Sequence, residues 1–118
     1  VPRNFPEEAA ALKTAWQRLK SVTAILRDRQ ADQGPEKALA PAQAYMDGVG
    51  GIMLAWIWLK QGDAALRADL PYASEAFKMG KADICRFVFR WELPKALLAL
   101  EQLENLGEEE AFPPEEAF

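Results

Sequence analysis

Apolar residues recur along this chain at steps of three and four, the spacing of a helix with one buried side. Leu12, Trp16, Leu19, Thr23 and Leu26 form the first such stripe, while Lys13, Arg18, Lys20 and Arg27 fall largely on other faces. The stripe predicts a helix over about 6–31. Glu7 and Glu8 suit the positive end of its dipole, and Gln33-Gly34-Pro35 supplies the stop, glycine as a left-handed cap and proline as a barrier to continuing. Pro41 cannot donate a backbone bond and crowds the carbonyl four residues back, so a kink or fresh start is expected there.

From 42 to 61 the run AQAYMDGVGGIMLAWIWLKQ is apolar on nearly every side, the pattern of a helix surrounded by partners. Gly48, Gly51 and Ala55 form a strip without bulk, and since each helical glycine costs about 1 kcal/mol relative to alanine, close approach of another helix is the expected compensation. Gly62 is expected to end this helix and a partly helical loop over about 63–70 to follow it, with Asp69 and Pro71 opening a third helix over about 70–91. Phe77, Ile84, Val88 and Trp91 make the third helix's main stripe, Phe87 and Phe89 point elsewhere, and Lys78, Arg86 and Arg90 line a basic flank. Leu93-Pro94 breaks that run, with Pro94 suited to a first helical turn. A fourth helix over about 94–106 then presents Leu93, Leu97, Leu100 and Leu103 at helical spacing. No run of alternating β-branched residues predicts a strand. The expected fold is all-α, an antiparallel four-helix bundle with short connections.

Composition narrows the function classes. The 118 residues suffice for one hydrophobic core, assigned to 1–106, and the acidic segment 107–118 stands apart as a tail. Five of the 18 acids lie in that tail, which leaves 13 acids against all 14 Lys and Arg in the body. A near-neutral body with no basic run gives no reason to expect nucleic-acid binding. The longest apolar run, Val49 to Leu59, has 11 residues, whereas a membrane span needs roughly 20. No basic-then-apolar leader opens the chain, so a cytoplasmic location is the default expectation. Because the chain opens on Val1, a fragment or processed product is expected.

Candidate chemistry is sparse. With no His and a single cysteine, Cys85, there is no imidazole ligand or base and no internal disulfide. Cys85 sits in an apolar helix where thiols are inert, and no metal or catalytic set is assigned. Asp47, at the edge of the apolar run, needs a partner if buried. Lys81 or Arg86 could form a structural ion pair with it, and no second acid is placed to make a dyad. Trp56 and Trp58 lie two apart on a helix and so cannot both line one pocket. They read as core and interface residues rather than a ligand box. The tail repeats Glu-Glu-Ala-Phe around Pro113-Pro114. It reads either as a solvated terminus or as a docking segment anchored by Phe112 and Phe118. The glycines at 48, 50 and 51 lack the preceding strand and the Lys-Ser or Lys-Thr pair of a phosphate loop.

Two segments, AYMDGVGGIMLAWIWLKQ (44–61) and EAFKMGKADICRFVFRWELPKALLALEQL (75–103), together with the first helix, resemble the acetyl-CoA dehydrogenase C-terminal-like accessory domain of bacterial acyl-CoA dehydrogenases. The pattern is a Tyr, a Gly-containing apolar helix with Trp near its end, then Phe-x-x-Gly-Lys, an aromatic Arg-Phe pair, and Leu-Pro before the last helix. It covers roughly 8–105. The resemblance implies a non-catalytic bundle appended to the dehydrogenase fold. FAD, the acyl-CoA and the catalytic carboxylate would belong to the parent dehydrogenase domains, and this chain would hold no cofactor. Its role would be to support assembly or shape the substrate entrance. Two alternatives remain: a stand-alone adaptor binding a partner protein, and an apolar-ligand-binding bundle with Phe87 and Phe89 lining its cavity. Surplus apolar surface on the second helix predicts a homo-oligomer, joined through Trp58 and, if it faces outward, the Gly48–Ala55 strip.

Overall fold

The computed structural model describes residues 4–33, 41–67 and 73–105. Helix α1 (Pro6–Gln33) and helix α2 (Ala42–Arg67) are followed by α3 (Glu75–Phe87), a π-helical turn (Val88–Glu92) and α4 (Leu93–Glu104). No strand occurs among the described residues. The residue pairs in contact fix the directions. Phe5 lies beside Gly62 and Thr23 beside Tyr45, so α1 and α2 are antiparallel. Gly62 meets Cys85 and Gly48 meets Leu100, so α2 is also antiparallel to the segment 75–104.

The expected four-helix bundle is therefore corrected. Among the described residues the helices make three rods, because α3 and α4 run on as one through the π turn. Leu93-Pro94 does not break the rod. Pro94 has no N–H and its ring crowds the carbonyl four residues earlier. The preceding turn widens to meet this, the Leu93 N–H reaching back five residues to the carbonyl of Val88. A π turn of this kind absorbs a local misfit inside an otherwise regular helix.

Pro41 marks a start, as expected: α2 begins at the next residue, and the Tyr45 N–H donates to the Pro41 carbonyl at 3.0 Å. Gly62 does not end α2, which continues to Arg67. The third helix starts at Glu75, later than expected, capped by Ser74, whose hydroxyl accepts from the Phe77 N–H at 3.1 Å. The expected start at Asp69 and Pro71, the stop at Gly34-Pro35 and the acidic tail lie outside the described residues.

The core sets small side chains along the α2 seam among leucine, isoleucine and valine. Ala15, Leu19 and Val22 of α1 meet Ile52 and Ala55 of α2 and Val88, Leu93, Ala96, Leu100 and Leu103 of the third rod. A second cluster of Phe5, Leu59, Ala82 and Cys85 closes the other end. The Gly48–Gly51–Ala55 strip faces this core, not solvent. A Cβ at Gly48 would stand 2.6 Å from Leu100 Cδ2, and one at Gly51 would stand 2.5 Å from Ala96 Cβ. Gly62 is as tight, its missing Cβ falling 2.9 Å from the Cβ of Cys85. Dimerisation through that strip is thereby ruled out.

The third helix's stripe is the other correction. Of Phe77, Ile84, Val88 and Trp91, only Val88 is buried. The core side of this helix is instead Ala82, Cys85 and Val88, the small residues that allow α2 to come close.

Two glycine substitutions separate packing from propensity. Gly50 has open space around it, so Gly50→Ala should stabilise the fold by about 0.5–1 kcal/mol, the helix-propensity difference alone. Gly51→Ala drives a methyl into Ala96 and should cost about 1–3 kcal/mol, as overpacking does. Urea unfolding midpoints of the two variants should move in opposite directions.

Candidate functional site

Four places on the described residues have the features of a site: the buried acid Asp63, the thiol of Cys85, the groove between α1 and α2, and the outer face of the third rod. The acid singled out from sequence, Asp47, is exposed and accepts from Gln43 Nε2 at 2.9 Å, one helical turn away. Lys81 donates to Gln61 at 2.9 Å and lies over the rings of Trp58 and Phe77. Arg86 pairs with Asp83 at 3.4 Å and lies over the Phe5 ring. Asp47 lies toward the start of α2, Lys81 beside its far end, so the structure does not bring the three together.

The buried acid is Asp63, 3% exposed, in the segment expected to follow α2 as a loop and here part of that helix. Arg67 Nε stands 2.7 Å from Oδ2, one turn along the same helix. The backbone and side-chain nitrogens of Asn4 both donate to Oδ1, at 3.3 and 3.2 Å. Asp63 thus ties the approach to α1 onto α2 and seats Phe5 in the second core cluster. Its lone pairs are taken up structurally. The spacing Asp63 to Arg67, i to i+4, was the one sequence signal for this pair.

Cys85 is fully buried against Gly62 and Phe5. Burial, with a smaller push from Glu8, raises its thiol from the ordinary 9.0 to about 11. Such a thiol is a packing residue, not a nucleophile.

Between α1 and α2 lies an apolar cavity of about 450 Å³ lined by Leu12, Trp16, Ile52, Met53 and Trp56. Its lining offers only the two indole N–H groups and no backbone cradle for a diphosphate, and Gly48, Gly51 and Gly62 of α2 are spent on helix contact, so the lining residues do not fit FAD. Among the described residues no cluster of three His, Cys, Asp or Glu could hold a metal, and no helix is long and apolar enough to cross a membrane.

The outer face of the third rod is the largest surprise. Phe77, Ile84, Phe87 and Trp91 are each 42–55% exposed and follow one another at steps of seven, three and four, a single continuous stripe. Phe89, grouped with Phe87 from sequence, instead packs against both core clusters. On α2, Met46, Met53, Leu54, Trp56 and Ile57 are also exposed. Trp58 is half-buried against the core, and Phe112 and Phe118 lie outside the described residues.

Among the described residues the domain is a three-rod helical bundle whose third rod presents a stripe of large apolar side chains outward. The acetyl-CoA dehydrogenase C-terminal-like family model matches residues 2–110, nearly the whole chain, and the chain belongs to that family. No curated protein and no solved structure matches it.

Two measurements test this account of Asp63 and Cys85. Asp63→Ala leaves the Asn4 donors without their acceptor and should cost about 1–3 kcal/mol, the penalty of an unsatisfied buried group. The neutral thiol is retained in the folded chain and lost in the unfolded one. Its contribution to stability is therefore complete below pH 9.0 and disappears as pH climbs toward 11. Cys85→Ala should flatten that alkaline decline in urea titrations.

Proposed function

We propose that this bundle is the C-terminal accessory domain of a flavin-dependent, cytoplasmic acyl-CoA dehydrogenase, and that it docks on the parent dehydrogenase domains through the outer face of the third rod. The observation that carries the reading is the stripe Phe77, Ile84, Phe87 and Trp91. Contiguous exposed aromatics of this kind mark contact surfaces, and aromatic side chains supply most of the energy where such surfaces meet. Arg86 and Arg90, exposed beside the stripe, suit its polar rim. Flavin, acyl-CoA and the reacting carboxylate belong to the parent domains in this reading. The bundle contributes rigid shape, either to the assembly or to the substrate entrance. Detached from its parent, the same stripe would pair with a second copy about a two-fold axis.

The test is reconstitution. The 118-residue chain, mixed with dehydrogenase domains produced without it, should bind them and carry no flavin of its own. Phe87→Glu with Trp91→Glu should weaken that association at least about 10-fold, the effect of losing a single anchor worth about 1.4 kcal/mol. Both residues are exposed, so the fold should stay intact by circular dichroism. Bound flavin with turnover in the isolated chain, or undiminished association of the double variant, would overturn the proposal.

A further inference from the structure

The cavity between α1 and α2 lies between banks with a consistent charge. Lys13 and Lys20 stand three residues before and four after Trp16, on the solvent flank of the same helix face. On the opposite bank Lys60 Nζ lies 4.7 Å from the centre of the Trp56 ring. Neither helix places an acid on these banks. In α1 none occurs between Glu8 and Asp28, and in α2 none between Asp47 and the buried Asp63. Lys13 and Lys20 form no ion pair with any described residue. A pocket walled by two indoles and edged with lysines fits an aromatic side chain carried among carboxylates.

The chain contains such a segment. Glu108, Glu109 and Glu110 precede Ala111-Phe112, and Glu115 and Glu116 precede Ala117-Phe118. Phe112 and Phe118 lie beyond the region matched by the family model, which ends at 110. The reach is sufficient. Glu104, at the end of α4, is held to Arg18 of α1 by a 3.1 Å ion pair, about half a turn of helix along α1 from Trp16. Passing around α1 to the cavity means covering about half the girth of a helix 10–12 Å across, some 16–19 Å. The seven residues Leu106 to Phe112 can span up to about 25 Å.

We infer that the α1–α2 cavity is the docking site of this chain's own acidic tail, with Phe112 seated between Trp16 and Trp56 and the flanking glutamates paired with Lys13, Lys20 and Lys60. The tail covers the apolar groove on the side away from the third rod's stripe. This inference stands apart from docking on the parent domains, because it uses a different face and a different occupant.

A reporter on the tail tests it in the full chain. Ala111→Cys can be labelled selectively in the folded protein with a bimane dye, which tryptophan quenches on contact, because Cys85 is buried and its thiol raised. The dye should be quenched several-fold relative to the unfolded chain. Phe112→Ala, or Trp16→Phe combined with Trp56→Phe, should release the quenching, and Trp91→Phe should leave it unchanged. Raising salt to about 1 M, where the screening length falls to about 3 Å, should release part of it. Lys13→Glu with Lys20→Glu should do the same at low salt. Phe112→Ala changes none of the buried core residues named above, so a failure of the tryptophan variants to fold leaves the test standing. Three results overturn the inference: no quenching in the full chain, quenching insensitive to Phe112→Ala, and quenching that disappears on dilution. The last would assign the pocket to the tail of a second copy.

Discussion

Everything else in this domain follows from how closely α2 approaches the third rod. Gly48, Gly51 and Gly62 place backbone where side chains would ordinarily stand, against Leu100, Ala96 and Cys85. Each glycine weakens the isolated helix by about 1 kcal/mol, and the contact it permits is the return. Ala15, Ala55, Ala82, Ala96 and Ala99 extend the same theme, with leucine, isoleucine and valine supplying the bulk between them. Small residues at the seam bring the rods near each other, and among the described residues Phe5, at one end, is the one aromatic fully buried in the core.

That geometry accounts for where the aromatics are. Trp16, Trp56, Phe77, Phe87 and Trp91 cannot enter the seam and stand on outer faces or groove walls. A monomer that buried its largest side chains would have been self-sufficient. This one directs them outward, which suits a domain that completes its burial against other surfaces, as an accessory domain of a larger enzyme would. The polar chemistry follows suit: Asp63 joins elements, Cys85 packs, and the surface ion pair of Arg18 with Glu104 ties the end of the third rod to the middle of α1.

The π turn before Pro94 reconciles a proline with an unbroken rod. Had the chain stopped at Leu93-Pro94, α4 could have folded back as a separate fourth helix. Widening one turn lets the buried face continue from Ala82, Cys85 and Val88 to Leu93, Ala96, Leu100 and Leu103. The seam with α2 is thereby kept along the whole length of the rod.

The amino-acid sequence by itself determined the all-helical class, the fresh start after Pro41, the small-residue strip on α2 and the Leu93–Leu103 stripe, because these depend on local spacing and backbone chemistry. It also carried the family resemblance, whose match covers nearly the whole chain. What it could not decide was which apolar stripe of an amphipathic helix faces inward when two compete. On α3 the larger residues Phe77, Ile84 and Trp91 read as the core, yet the seam selected Ala82 and Cys85, since only small side chains allow α2 so near. For the same reason Gly62 read as a helix end and is an interior contact, and Asp63 beside it read as a loop residue. Its partner Asn4 lies 59 positions away, a pairing that tertiary packing alone creates.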